Sequence, residues 1–407
     1  MKPTKHKFSV LKQICELIPG HLVTKLAKKH GVDIKSRTIS PWSHVVAMLY
    51  AQVSHSMSLN DICDSLKHHA SKLNTIRGAT PPSRNGLSHA NKIRHADMAQ
   101  ELFWHVLEYL QNANPKFGYS HRYGKLPRRF KRLIHIVDST TIQLVSNCMD
   151  WAKHRRRKAA AKCHLRLNLQ TFLPSFAVVR EAKPHDCTQA KMLCSGIKSG
   201  EIVVFDKAYL DYDHLYELKK RGVFWVTRAK KNLSYIPAST GIFLKKGIVE
   251  DRLIQLYPAH SKQDYPKPLR LVTATILLDG KQVQMSFLTN NTTWSARSIA
   301  DLYKSRWAIE VFFKQLKQTL QLSDFLGYSK QAVQWQIWTA LLSYLLLRFL
   351  AFMSNWKGSF SRLFTTVRAV LWSHFHLFKL LNSYGTAHGP PKIIATPYQA
   401  YLPGFAF

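Results

Sequence analysis

Tyr303, Arg306, Glu310 and Lys317 follow one another at gaps of three, four and seven residues. On a helix that advances about 100° per residue, those gaps place all four side chains in one narrow stripe. Leu302, Ile309, Phe312, Phe313, Leu316 and Leu320 fill the neighbouring face. A helix over residues 301–320 is therefore expected to pack into a core while presenting one carboxylate flanked by two cations and a phenol. A lone acid in that company suits a metal ion held beside a phosphate backbone. The plain alternative is an amphipathic surface helix with an i, i+4 charge pair, and the rest of the chain decides between them.

Two further acids end apolar runs: Asp138 follows residues 133–137 and Asp206 follows residues 202–205. Such runs read as strands buried on both faces. If the strands are neighbours, their ends bring the aspartates together, and a helix packed across the sheet adds Glu310. Phosphoryl transfer uses a cluster of this kind because two divalent ions, roughly 3.5–4 Å apart, activate the attacking oxygen and stabilise the leaving one. Carboxylate oxygens suit Mg2+, with Mn2+ as a substitute. One strand-terminal aspartate merely caps or solvates a turn, whereas three acids in this order within a very basic chain are stronger evidence.

The chain is indeed basic: 59 lysines and arginines stand against 23 acids, a formal net charge of +36 over 407 residues. That imbalance points to a polyanionic partner. The basic residues are spread along the chain and not gathered in one terminal helix, which disfavours a membrane surface. Hydrophobic content of 46% and aromatic content of 12% exclude a disordered chain. Residues 337–353 are the most apolar, yet they are interrupted by Arg348 and short for a span, so a buried helix is expected. Cys15, Cys63, Cys148, Cys163, Cys187 and Cys194 form no CxxC pair, which suggests a reduced protein without structural zinc. His68-His69 and His374-Phe375-His376 match no zinc spacing either. Residues 1–20 have no apolar signal core, and a cytoplasmic location is expected.

The elements that must position the acids can be read in order. Residues 1–112 show helical patterns: Ser40-Pro41 opens a helix over 42–54, Ser58 starts another, and Pro81-Pro82 breaks the chain before residues 83–110. This reads as a small helical DNA-binding unit or a helical cap without a ligand. A basic connector, residues 113–132, follows. Strands are then expected at 133–137, 164–170 and 176–179, a helix at 188–197, a strand at 202–205, a helix at 212–221 and a strand at 223–227. The run from Lys153 to Lys158 reads as a solvated loop that also meets DNA phosphates, or as an unspecific nuclear address. His185 and Asp186, in a turn after the third strand, read as structural, with assistance to the active site as the alternative. Residues 230–295 look mostly β, with Asp279-Gly280 marking a hairpin. The pattern implies a mixed sheet covered by helices.

Asp138 in IVDSTT, Asp206 in VVFDKAY, and LTNN followed by LYKSRWAIEVFFKQLKQTL resemble the DDE transposases of insertion-sequence family 4, over roughly residues 130–350. The Tyr-x2-Arg-x3-Glu-x6-Lys signature is complete. The resemblance implies an α/β (mixed α+β) fold: a ribonuclease-H-like mixed sheet with flanking helices, residues 133–229 and 296–350, interrupted by a β-rich insertion at 230–295. The all-helical domain 1–112 precedes it and a helical region 351–407 follows. It also implies cut-and-paste transposition with Mg2+. Asp138, Asp206 and Glu310 become catalytic metal ligands, while Tyr303, Arg306 and Lys317 contact DNA. The partners are then double-stranded DNA, as element ends and target, and a second copy of the chain in a synaptic dimer, at the nucleoid of a prokaryotic cell. Some relatives hold a flipped base on an aromatic side chain, which stacking stabilises by roughly 1–3 kcal/mol; Trp225 and Trp294 are placed nearest to serve, and both read as core. A metal-dependent nuclease on the same fold, or an inactive DNA-binding descendant, is the competing function.

Overall fold

The computed structural model describes residues 4–34, 39–119, 129–144, 148, 153–155, 158–181, 187–239, 247–257, 263–278, 281–320, 322 and 325–383. The chain forms two compact units: Met1–Tyr119 with Ile142–Ala161 and Phe313–Ala395, and Ser120–Thr141 with Lys162–Phe312 and Thr396–Phe407.

In the first unit, α1 (Val10–Cys15), α2 (Gly20–Lys29), α3 (Pro41–Ser54), α4 (Leu59–His68), α5 (Ala70–Asn74), α6 (Arg84–Ile93) and α7 (Asp97–Ala113) come from the amino-terminal third. Ser40 caps α3 by accepting from Ser43 N, with Pro41 in the first turn, where its missing N–H is no loss. Ser58 and Asp61 form a reciprocal capping box on α4. The helix expected over 83–110 is two helices, because Arg94 leaves the helical region at ψ 129°. Its guanidinium donates to Ile39 O at 2.5 Å and its carbonyl accepts from Trp335 Nε1 at 3.0 Å. Those bonds reward the break.

Most of a mixed sheet lies in the second unit. Its strands are β1 (Ile134–Leu144), β2 (Lys153–Arg155), β3 (Lys158–Asn168), β4 (Leu173–Glu181), β5 (Ile202–Phe205), β6 (Phe224–Arg228), β7 (Tyr235–Pro237), β8 (Ile248–Leu256), β9 (Leu269–Leu278) and β10 (Lys281–Thr289); β2, the end of β1 and the start of β3 fall in residues assigned to the first unit. They run in the order β2-β3-β1-β5-β6-β10-β9-β8-β7, with β4 on β3. β1, β5 and β6 are parallel, in the register Val137↔Phe205↔Thr227. Three adjacent parallel strands flanked by β3 form the centre of the sheet, the arrangement expected of a ribonuclease-H-like core. Every residue of β5 is buried, as a strand covered on both faces requires. α8 (Cys187–Leu193) and α9 (Tyr212–Lys220) supply Leu193, Leu215 and Leu218 to one cluster with Phe205 and Trp225.

Three expectations change here. The run Lys153–Lys158 is no simple loop, since β2 pairs with the start of β3. Strand β1 continues past Asp138 to Leu144, though its pairing with β5 stops at Val137, so Asp138 sits just beyond the parallel ladder. Strands β7 to β10 continue the same sheet, through β10 antiparallel to β6. The Asp279-Gly280 turn lies outside the described residues, and the strands on either side pair antiparallel from Leu278↔Lys281 onward. His185 and Asp186 also lie outside the described residues.

α10 (Ala296–Lys304) and α11 (Trp307–Lys314) replace the single helix expected over 301–320, and a π-helical turn follows at Gln315–Thr319. Ser305 makes the break: its Oγ donates to Leu302 O at 2.6 Å, and tight bonds run from Arg306 N to Tyr303 O and from Ala308 N to Ser305 O. Residues from Phe313 onward belong to the first unit. There α12 (Lys330–Met353) packs on α3, α6 and α7, followed by α13 (Phe360–Ala369) and α14 (Leu377–Ser383). α12 is the one helix among the described residues long and apolar enough to cross a membrane, and its apolar window is 78% buried inside the protein. It stops where Ser354 Oγ donates to Leu350 O at 2.6 Å and Asn355 turns to φ +48°, the left-handed residue that commonly ends a helix.

Candidate active site

Asp138 and Asp206 come from adjacent parallel strands, and Tyr303, Arg306 and Glu310 from the α10–α11 segment. Arg306 joins two of the acids: Nη1 donates to Asp138 Oδ2 at 2.7 Å and Nη2 to Glu310 Oε1 at 2.8 Å. Tyr303 Oη donates to Asp206 Oδ1 at 3.2 Å. Ser139 N donates to Asp138 Oδ1 at 2.8 Å. The stripe on the helix anticipates the Arg306–Glu310 pair; the second prong, to Asp138, comes only from the tertiary fold. Arg306 also lies 5.8 Å from the Tyr303 ring centre and 5.6 Å from that of Trp307, a cation against two π faces.

The electrostatics are those of crowded acids. Burial pushes the Asp138 carboxyl up to about 6; Arg306 and the Ser139 amide oppose this, while Asp206 and Glu310 reinforce it. Burial works against the Arg306 charge, yet Asp138 and Glu310 more than offset it and hold the guanidinium above its ordinary range. Burial also takes the Tyr303 phenol up to about 12, with Asp206 adding to the rise and Arg306 resisting it. Tyr303 therefore serves as a neutral donor near pH 7. Arg306 Nε is buried and has no hydrogen-bond partner among the described residues.

Around the site, much of the support is structural. Arg270 grips Asp251 with two bonds of 2.7 Å and donates to Trp294 O at 2.6 Å, tying β8 and β9 to the turn before α10. Asn290 of the LTNN motif accepts from Trp225 N at 3.0 Å and donates to Val223 O at 2.8 Å; Asn291 Oδ1 accepts from Trp294 N at 2.7 Å. Arg129, in the described part of the basic connector, meets Asp301 at 3.0 Å. Another buried contact, His164 Nδ1 with Tyr209 Oη at 3.2 Å, secures the turn just after Asp206. In sequence only the polar position in a strand pattern hinted at His164. Trp225 is fully buried in the core with Nε1 donating to Leu215 O at 3.1 Å, and Trp294 is partly buried and packs on Phe130 and Phe224.

The carboxylates of Asp138, Asp206 and Glu310 are a donor set of hard oxygens, two of them bonded to one guanidinium. The set thus suits a divalent metal in its chemistry. It is not preassembled: among the described residues, no three acid, histidine or cysteine side chains are placed to hold an ion together. Lys317 lies in the π-helical turn of the first unit.

The family model of the transposase DDE domain matches residues 129–346, more than half of the chain and all six of these residues. The chain belongs to the transposase DDE domain family. A second model, a domain of unknown function (DUF4372), matches residues 6–76. A putative transposase of Sinorhizobium fredii is 31% identical over 237 residues, 56% of this chain and 65% of that protein. A probable insertion-sequence transposase of Geobacillus stearothermophilus is 29% identical over 54% of this chain and 58% of its own length. The transposase of insertion sequence IS4 from Escherichia coli is 26% identical over 45% and 42%. The chain thus spans less than two thirds of each of these relatives, and the family likeness is to the IS4 type. A solved piggyBac transposase chain from a synaptic complex with hairpin DNA aligns over 92% of this chain and 80% of its own, at 10% identity and a TM-score of 0.43; at that level its complex does not speak for this one. Proteins of this family generally use divalent metal ions.

Proposed function

We propose that this protein is a DNA transposase that moves an insertion sequence by cut-and-paste transposition. The observation that carries the reading is the Asp138–Arg306–Glu310 bridge beside the Asp206–Tyr303 pair, a concentration of acid inside a chain of net charge +36. Asp138, Asp206 and Glu310 are the residues that would hold Mg2+ or Mn2+, as two ions. When bound, the ions supply charge neutralisation at the scissile phosphate and a more acidic nucleophile. A water oxygen attacks phosphorus at the element's end and the 3′-oxygen leaves as a hydroxyl; that hydroxyl then attacks a target phosphodiester in a second displacement.

The chain's own residues account for the positioning. Arg306 faces the two acids with both prongs of its fork and is assigned a DNA phosphate oxygen as a further partner, the group its planar guanidinium suits. Tyr303 is a neutral donor that orients Asp206, and Lys317 is assigned a DNA phosphate. The partners are double-stranded DNA, as terminal repeats and target, and a second copy of the chain, since two ends are joined in one event. With DNA as substrate, the place of action is the nucleoid of a prokaryotic cell. Five of the six site residues, all but Lys317, lie in the second unit, and the amino-terminal helices handle DNA.

The test uses the full chain and duplexes made from the DNA flanking its gene. Mg2+-dependent release of a 3′-hydroxyl at the element boundary, followed by joining of a pre-cut end to a second duplex, supports the reading. Cutting without joining identifies a nuclease instead. Binding should weaken steeply with salt, because lysine and arginine contacts release counterions from phosphates; an affinity unchanged between about 50 and 200 mM salt would overturn the DNA partner.

A further inference from the structure

The helix α6 in the first unit presents a surface with chemistry of its own. Pro81-Pro82 precedes it, and Ser83 caps it by accepting from Gly86 N at 3.1 Å. Leu87, Ala90 and Asn91 point inward. Asn91 Oδ1 meets Nε2 of fully buried His44 at 2.8 Å, which fixes the rotation of the helix about its axis. At about 100° per residue the opposite half-turn carries Arg84, Asn85, Ser88, His89, Lys92 and Ile93, and all six are exposed.

No acid interrupts that arc. Among the described residues neither Arg84 nor Lys92 forms an ion pair, whereas exposed Lys29 of α2 is held by Glu101 at 2.7 Å and Lys191 of α8 by Asp213 at 2.9 Å. The exposed polar groups are donors of the kinds that read base edges: arginine for guanine, asparagine for adenine, serine for either. Ile93, 53% exposed at the far end of the arc, is an apolar group of the sort that meets a thymine methyl. A ten-residue helix is about 15 Å long, enough to lie in a major groove about 12 Å wide. α6 falls between the two matched family segments, 6–76 and 129–346, so family membership does not account for its surface.

We propose that the exposed arc of α6 reads duplex DNA sequence in the major groove, with Arg84 and Asn85 making the base contacts and Lys92 a phosphate contact. This rests on the transposase reading, since an enzyme that cuts at element ends has to distinguish them from other DNA. Base contacts specify and phosphate contacts position, so the two kinds of residue should fail differently.

The experiment selects binders from a pool of random-sequence duplexes with the full-length chain, then measures affinities for the enriched and a scrambled duplex at one salt concentration. Wild type should enrich a motif. The Arg84→Ala/Asn85→Ala variant, with both changes on the surface, should keep its thermal unfolding profile and bind the scrambled duplex to within about threefold. It should lose on the order of tenfold or more for the motif. Lys92→Ala should weaken both duplexes alike. Enrichment of the same motif by the double variant at undiminished affinity overturns the proposal. So does salt-sensitive binding by wild type with no motif enriched, which leaves the transposase reading standing. Absence of all DNA binding would overturn both.

Discussion

The two units each bury a polar cluster, and they treat charge in opposite ways. In the first, His44, Asn91 and Arg94 lie among helices α3, α6 and α12 with no carboxylate among them; the His44 ring is kept neutral, burial and then Arg94 pushing its pKa down to about 3, and Arg94 spends its donors on backbone carbonyls. Every arrangement there fixes where helices sit. In the second, two carboxylates share a single guanidinium while a third, Asp206, accepts from the Tyr303 phenol, and burial of Asp138 is opposed by a partner that bonds two acids at once. A cluster that served only stability would not concentrate like charges, because leaving buried charges undercompensated is costly. On the proposed function, the contrast separates polar groups that hold the fold from polar groups that the fold would hold for chemistry.

Removing a carboxylate should have the largest effect. Glu310→Gln keeps size but loses the charge, and Mg2+-dependent cutting of an end-bearing duplex should fall by on the order of 10²-fold or more, with the urea midpoint nearly unchanged. Cutting at the wild-type rate would return Glu310 to a structural role. Next comes the cation itself. Arg306→Gln strands Asp138 and Glu310, and urea unfolding should show a loss of about 3 kcal/mol, the low end for a broken buried pair because Glu310 is 38% exposed; added Mg2+ should recover part of it. Equal stability with and without Mg2+ would mean that the acids have no use for a cation.

The first unit offers the converse measurement. Because the native His44 ring resists protonation until about pH 3 while an unfolded one accepts a proton near 6.5, the unfolded chain binds more protons between those values. Stability is then unaffected above pH 6.5 and falls as pH drops through that window, by about 2 kcal/mol at pH 5. His44→Gln should flatten that slope in denaturant titrations at pH 7 and 5; an unaltered slope would show that another group sets it. Smallest of all, Lys29→Ala removes an exposed pair with Glu101 and should shift stability by under about 1 kcal/mol.

What could be read from sequence follows the same division. β5 and Asp206 were legible because four consecutive apolar residues before a charge fit only a strand buried on both faces. The Arg306–Glu310 pair was legible from its spacing. The second prong, to Asp138, joins residues 168 apart in sequence and depends on strand order, which no local pattern states. The interruption at Ser305 carries no glycine or proline; it is made by one hydroxyl returning to its own helix. The break at Arg94 is likewise driven by partners on distant segments, Ile39 and Trp335. Uniform apolarity announced that α12 is buried but could not name α3, α6 and α7 as what covers it, nor that residues after Phe313 group with the amino-terminal helices.

Arg306 also bears on the life of the protein before it would meet the proposed ions. Many metalloproteins reach their fold only by taking up the metal, so that folding and loading are one event. Here a side chain encoded in the same segment already supplies a positive charge to Asp138 and Glu310, so that, if the proposed ions are bound, folding would not have to wait for them. Scarcity of the ion would then silence the protein without exposing it to proteolysis, and abundance in the cell would be set independently of competence to act.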